Sequence, residues 1–245
     1  MVQQLTPETA SDIIYPDSDG QPMADNTKQF RWIVKIKENL EVLFASRNDV
    51  FVGGNLLWYP VEGSVKTRQA PDVMVVFGRP KGDRGSYKQW EENNIPPQVV
   101  FEILSPGNRT QEMINKSLFY QRHGVEEYYI YDPDTLELSG FLRSQDSFAA
   151  IEEINGWVSP RLGISFQLTP DTLEIYYPDR RKFLTSVELE KRAEQEYQRA
   201  EQEYQRAEQE YQRAEQERQD KEAALQQYQE LLAKLQAKGV DIDNL

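Results

Sequence analysis

The heptad RAEQEYQ is written three times in succession, from Arg192, Arg199 and Arg206, and a fourth copy, RAEQERQ, follows from Arg213. A strict seven-residue period carrying one aromatic and one alanine calls for a long α-helix. Placing Tyr197, Tyr204 and Tyr211 at heptad position a puts Ala193, Ala200, Ala207 and Ala214 at d. The phase survives to Leu225, Tyr228, Leu232 and Leu235, with Arg218 and Lys221 interrupting it. The helix is expected from about residue 186 to 238, roughly 80 Å at 1.5 Å per residue. Everything else must be folded by residues 1–184, which hold nearly all the Trp, Phe, Pro, Gly and Ile, enough for one core of ordinary domain size. The chain is therefore divided into an N-terminal extended segment (1–26), a globular domain (27–184) and a heptad-repeat coiled coil (185–245).

Within the domain, TKQFRWIVKIKENLEVLFAS (27–46) spaces Trp32, Ile33, Ile36, Leu40, Leu43 and Phe44 as one face of an amphipathic helix, with Thr27 as its expected cap. VFVGGNLLWYP (50–60) reads as a strand with a Gly-Gly bulge or turn. Next come a strand APDVMVVF (70–77), a basic glycine-rich loop (78–90) and an apolar strand QVVFEILSP (98–106). A helix over roughly 109–122 ends at Gly124, and strands follow at EEYYIYD (126–132), LELSGFLR (136–143) and FAAIEEI (148–154). Strand, helix, strand implies an α/β unit.

Two acids stand inside these apolar runs: Asp72, opening the first strand, and Glu102, within the second. A carboxylate removed from water is costly unless a cation, a proton or several hydrogen bonds compensate it. Oxygen ligands on adjacent strands suit a hard divalent ion, Mg²⁺ or Mn²⁺, which takes one or two protein carboxylates and leaves its other positions to phosphate and water. A phosphodiester substrate follows from that chemistry. In the next helix, at about 100° per residue, Lys116 falls between Phe119 and Tyr120 near Met113 and His123, while Asn115 and Arg122 occupy the solvated arc. A lysine on a partly packed face just after the Glu102 strand can direct its ammonium at a metal site or a scissile phosphate. The alternative is a surface lysine paired with Glu112 at i, i+4.

Composition narrows the chemistry further. No cysteine and a single histidine exclude a Cys/His zinc site, a thiol nucleophile and a disulfide framework, and favour a reducing, cytoplasmic setting. No stretch approaches eighteen consecutive apolar residues, so no membrane span is expected. The net charge is −13; residues from 185 onward carry 15 acids and 9 bases (−6), leaving 26 acids and 19 bases (−7) for residues 1–184. Tight non-specific DNA binding rests on Lys/Arg neutralising phosphates, so any DNA contact must be local or metal-assisted, and low in affinity.

The run APDVMVVF, followed by PPQVVFEILSPGNRTQEMINKSLFYQRHGVEEYYIYDP, resembles the Uma-two family of endonucleases, a branch of the PD-(D/E)XK superfamily abundant in cyanobacteria. Pro-Asp, Glu-x-x-Ser-Pro, the helical lysine followed by tyrosine, and Gly-Val-Glu-Glu-Tyr come in the family's order, and the resemblance covers roughly residues 10–184. It implies a restriction-endonuclease-like core, a mixed sheet flanked by helices, hydrolysing DNA phosphodiesters with Mg²⁺. Asp72 and Glu102 match its metal-binding acids. The superfamily's E-x-K is absent, since Leu104 stands two residues after Glu102, and in this branch the lysine role moves to the following helix, here Lys116.

Other residues have plainer roles open to them. Glu38, at the edge of the first helix's apolar face, is read first as a solvated acid and second as a further site acid. Lys37 and Glu41 can form a partly buried pair or snorkel. Asn55 borders the site or makes a turn, and His123 caps a helix end next to Gly124. Tyr120 is assigned to packing. Arg79, Lys81, Arg84 and Lys88 in the basic loop are candidates for phosphate contact, although the loop lacks a P-loop's G-x-x-x-x-G-K-[ST]. The tail, with no basic face, is a partner-binding device: its seam favours a homo-oligomer through residues 186–238, against a lone helix held by pairs such as Glu188–Arg192 and Glu196–Arg199. Two functions remain: a metal-dependent DNA endonuclease with an oligomerisation helix, or a catalytically weak or inactive nuclease fold acting as an interaction module through its coiled coil.

Overall fold

A computed structural model describes residues 13–18, 20, 26–107 and 110–237, so most of the N-terminal segment lies outside the described residues. The chain divides into two units, Met1–Thr185 and Ser186–Leu245.

The first helix, α1 (Thr27–Leu43), already includes the residue expected to cap it. Asn26, in extended geometry, accepts the backbone N–H of Gln29 at 2.8 Å, so Asn26 and not Thr27 is the N-cap. Its buried stripe of Trp32, Ile33, Ile36 and Leu40 packs on one face of a six-stranded mixed sheet. The sheet strands are β1 (Val50–Gly54), β3 (Val73–Phe77), β5 (Val99–Ile103), β6 (Glu127–Asp132), β7 (Glu137–Ser144) and β8 (Ser147–Ala150), in that spatial order. Only β5 and β6 run parallel, and they are joined through α2 (Thr110–Arg122). Every other neighbouring pair is antiparallel.

Alternation along the central strands separates two cores. Val73, Val75, Val99 and Phe101 face α1, joined by Tyr129 and Tyr131 from β6. Met74, Val76, Val100 and Tyr128 face the other way, against Trp58, Tyr120 and Val125. The strand expected over 50–60 is broken: Asn55 takes a left-handed φ of 48° after β1, and β2 (Trp58–Tyr59) then pairs parallel with β4 (Tyr87–Lys88) outside the main sheet. The strand expected over 148–154 stops at Ala150, and Ile151 and Ile154 pack against the α1-side core. A further hairpin, β9 (Ser165–Leu168) with β10 (Leu173–Tyr176), adds Phe166, Leu173 and Ile175 to that core.

Three buried polar side chains tie these layers together. Gln29 donates to the Ile103 carbonyl at 2.9 Å, joining α1 to the end of β5. Asn39 donates to the Leu184 carbonyl at 2.8 Å and accepts from Tyr177 Oη at 2.9 Å, which fixes the last residues of the domain. Glu127, only 2% exposed, accepts from Tyr129 Oη (2.8 Å), Ser159 Oγ (2.5 Å) and the Arg161 N–H (2.6 Å). It holds the 159–162 turn on the sheet without a cationic partner. Glu127→Ala strands three donors at about 1 kcal/mol each, so unfolding should become easier by roughly 3 kcal/mol. Urea denaturation of the variant measures this, and an unchanged midpoint would remove Glu127 from the account of stability.

The second unit contains α3 (Ser186–Ala237), 52 residues of uninterrupted helix. Tyr197, Tyr204 and Tyr211 on its seam are 71%, 69% and 67% exposed.

Candidate active site

Asp72 immediately precedes β3 and Glu102 lies in β5. The β3–β5 register pairs Val73 with Phe101, so its continuation sets Asp72 opposite Glu102, on the sheet face that carries Met74 and Val100. Directly opposed residues of an antiparallel pair share a face. Both acids are buried, Glu102 to 2% exposure. Asp72 Oδ2 accepts the Ile103 N–H at 2.6 Å, a side-chain bond that extends the ladder beyond the last backbone pair.

The face they share is the one α2 covers, and α2 supplies two partners from one side of a single turn. Lys116 Nζ donates to Glu102 Oε2 at 2.8 Å, and Tyr120 Oη donates to Oε1 at 2.5 Å. Their i, i+4 spacing stacks them one above the other, so both reach the same carboxylate. The ammonium of Lys116 bonds Glu102 rather than Glu112, and only 13% of the side chain is exposed. The helix ends at Gly124, whose φ of 95° follows the backbone bond from Val125 N–H to the Tyr120 carbonyl.

The electrostatics follow from burial and this pairing. Burial pushes the Glu102 carboxyl up, against the pull of the Lys116 charge and the hydrogen bonds from Lys116 and Tyr120. Burial draws the Lys116 ammonium down, but Glu102, with smaller help from Asp72 and Glu112, more than reverses this and holds it above its ordinary value. Lys116 is therefore a fixed cation. The Tyr120 phenol is raised by burial and by the Glu102 charge, which keeps it a donor. Tyr128 projects to the same face; burial and the charges of Glu102 and Asp72 raise its phenol too, and its buried Oη has no hydrogen-bond partner among the described residues. Sequence reasoning assigned Tyr120 to packing alone. Its place one turn after Lys116 was the available signal. Tyr120→Phe keeps the ring against Trp58 and Tyr128 but removes a donor from a buried carboxylate. A loss of roughly 1–3 kcal/mol in unfolding free energy is expected, measured by chemical denaturation. An unaltered stability would mean that another donor, such as Tyr128, takes its place.

The donor set fits a hard cation. Among the described residues no group of three or more His, Cys, Asp and Glu is placed to hold a metal. Two carboxylates match the Mg²⁺ pattern, in which substrate phosphate and water complete the shell. A carboxylate oxygen has two lone pairs, so Asp72 Oδ2 and both Glu102 oxygens keep acceptor capacity beyond the bonds described.

The remaining candidates are occupied elsewhere. Glu38 is exposed and pairs with Lys37 at 3.1 Å, and Lys37 also pairs with Glu41 at 3.0 Å. Asn55 forms the left-handed turn, its N–H donating to the Asp72 carbonyl at 3.2 Å. The His123 ring packs against Phe119 and Trp58, and burial with the nearby Arg122 lowers its pKa. In the basic loop, Arg79 and Arg84 both reach Glu92 at 2.6 Å, with side chains 14% and 12% exposed. Lys81 donates to the Phe44 and Ala45 carbonyls at the end of α1, and Lys88 approaches Glu91 at 3.4 Å. A cleft of about 520 Å³ runs along β1 between α1 and this loop, lined by Lys37, Glu41, Val52, Gly54, Lys81 and Arg84 among others. It does not include Asp72, Glu102 or Lys116.

No curated protein matches the chain. Among solved structures, it is similar to a putative nuclease from Anabaena variabilis ATCC 29413, at 16% identity over 57% of this chain and 74% of that one, with a TM-score of 0.43. A sequence match to the Uma2 family, described as "putative restriction endonuclease", runs over residues 8–174, more than half the chain, and the protein belongs to that family.

Proposed function

We propose that the domain is a metal-dependent endonuclease that hydrolyses DNA phosphodiester bonds in the cytoplasm, and that α3 is its association helix. The observation that carries the first part is the placement of Asp72 and Glu102 opposite each other on one buried face, with Lys116 on the second acid. Asp72 and Glu102 would hold Mg²⁺ or Mn²⁺. Such an ion, when bound, polarises a phosphoryl oxygen and lowers the pKa of its water. Lys116 supplies a permanent charge to stabilise the extra negative charge of the five-coordinate phosphorus. Tyr120 holds Glu102 in one orientation, so the carboxylate need not reorganise as the reaction proceeds. No helix among the described residues is long and apolar enough to cross a membrane.

A second reading has its own support. Both Glu102 oxygens already have partners, and the loop arginines Arg79 and Arg84 are held on the single carboxylate of Glu92. A nuclease fold retained as a scaffold for α3 would tolerate both. Incubating the full chain with supercoiled plasmid and with oligonucleotides, in Mg²⁺ and in Mn²⁺, beside a calorimetric titration of each metal, separates the two. Metal binding with nicking or linearisation is expected; a chain that neither binds metal nor cuts leaves only the scaffold.

A further inference from the structure

The Tyr/Ala seam of α3 is exposed along its length, and the heptad frame fixes what flanks it. Every e position from Glu194 to Glu222 and every g position from Glu196 to Glu217 is glutamate. These positions meet across a two-helix interface and set partner choice. In a parallel pair of identical helices Glu196 faces Glu201 of the second copy, and Glu203 faces Glu208, with the same relation in the next heptads. Reversing one helix brings e against e and g against g, which is again glutamate against glutamate. Neither orientation of self-pairing escapes like charges on both sides of the seam.

Intrahelical arginines do not cancel this. Arg192, at position c, bonds Glu196 at g at 2.9 Å, while on the e edge Arg218, at a, bonds Glu215 at 2.7 Å. The arginines at c thus stand beside the g edge. The e edge has no such help at Glu201 and Glu208, whose neighbours three and four residues away are tyrosines and glutamines; Gln205 and Gln212 donate to them at 3.1 Å. The seam itself contributes little to offset repulsion, because alanine at d buries a small area. Only past residue 222 does the g flank turn apolar, with Ala224 and Leu231, while the e flank becomes neutral at Gln229.

We propose that α3 pairs, at neutral pH, with a helix of another protein whose apolar seam is flanked by Lys or Arg, and that its glutamates select against a second copy of itself. This replaces the homo-oligomer expected from the seam alone; it rests on reading α3 as an association helix and is independent of whether the domain cuts DNA. The partner's cations would lie between the two glutamate rows, and each pair formed would neutralise a charge that self-pairing leaves opposed.

The test uses the full chain and a designed helical peptide of four heptads with leucine at a and d and lysine at e and g. Sedimentation equilibrium at pH 7 should give a monomer at micromolar concentration. Fluorescence anisotropy of the labelled peptide should show binding that weakens as salt rises. The double variant E201K/E208K should bind that peptide at least about tenfold more weakly and gain affinity for a peptide with glutamate at e and g. A wild-type dimer at micromolar concentration overturns the choice of partner while keeping an association role. A monomer indifferent to both peptides overturns the association reading itself, and equal peptide binding by wild type and E201K/E208K overturns the role of the glutamates.

Discussion

Asp72→Asn and Glu102→Gln are each expected to reduce DNA cleavage to background, a fall of more than about 10³-fold, beyond the roughly 10²–10³ typical of losing a single preorganised donor. The reasoning is local to each site. Asparagine at 72 retains an oxygen to accept the Ile103 N–H, so the end of the β3–β5 ladder persists while the negative charge is gone. Glutamine at 102 retains one acceptor for Lys116 and offers an amide to the Tyr120 oxygen, exchanging a buried anion for a neutral group. Lys116 is then short of a counter-charge, but part of its side chain reaches water. Folding should therefore survive in both variants, read as wild-type circular dichroism and a cooperative melt, while Mn²⁺ binding by calorimetry disappears. Wild-type cleavage by both variants would remove the acids from the site.

Lys116→Met is expected to lower turnover by roughly 10²–10³ and to leave metal affinity equal or higher, because Glu102 Oε2 loses the ammonium that competes for it. Methionine preserves length and packing among the α2 neighbours, so the effect isolates the charge. Single-turnover cleavage at saturating Mg²⁺, together with the metal isotherm, measures both halves. Unaltered turnover with intact DNA binding would discard Lys116 and direct attention to Lys37. A Cβ placed on Gly54 would meet the Lys37 stem at 3.5 Å and the Asp72 backbone carbonyl at 3.6 Å, so that lysine's stem lies near the backbone of the first acid while its ammonium pairs with Glu38 and Glu41.

Strong periodicity and buried charge were the legible signals. The stripe from Trp32 to Leu40, the apolar runs around Asp72 and Glu102 and the heptads of α3 each repeat one pattern over several turns or strand residues, and each folds as its pattern requires. Lys116 was readable because a cation on a packed helix face needs an anion, and Glu102 is that anion. Short elements were harder. SFQL and LEIY are four residues each and carry too few alternations to stand out from the surrounding loop, although they complete the core. The break at Asn55 required a positive φ that the Gly-Gly pair beside it obscured. Long-range pairing was the least readable of all: that Arg79 and Arg84 converge on Glu92, or that Glu127 gathers donors from the 159–161 turn, depends on tertiary placement.

The convergence of two loop arginines on Glu92 has a thermodynamic corollary for the proposed encounter with DNA. Cations strengthen polyelectrolyte binding by expelling condensed counterions, and log K falls with log salt at a slope near 0.9 per phosphate neutralised. Arg79 and Arg84 share the Glu92 carboxylate, which offsets one of their two charges, and Lys81 is held by the carbonyls that end α1. All three side chains are tied into contacts within the protein and would have to give these up to reach a phosphate. The salt slope should accordingly be shallow, so that occupancy of a DNA site changes little between dilute and physiological ionic strength, and residence there depends on the two acids and on whatever tethers the chain through its glutamate-lined helix.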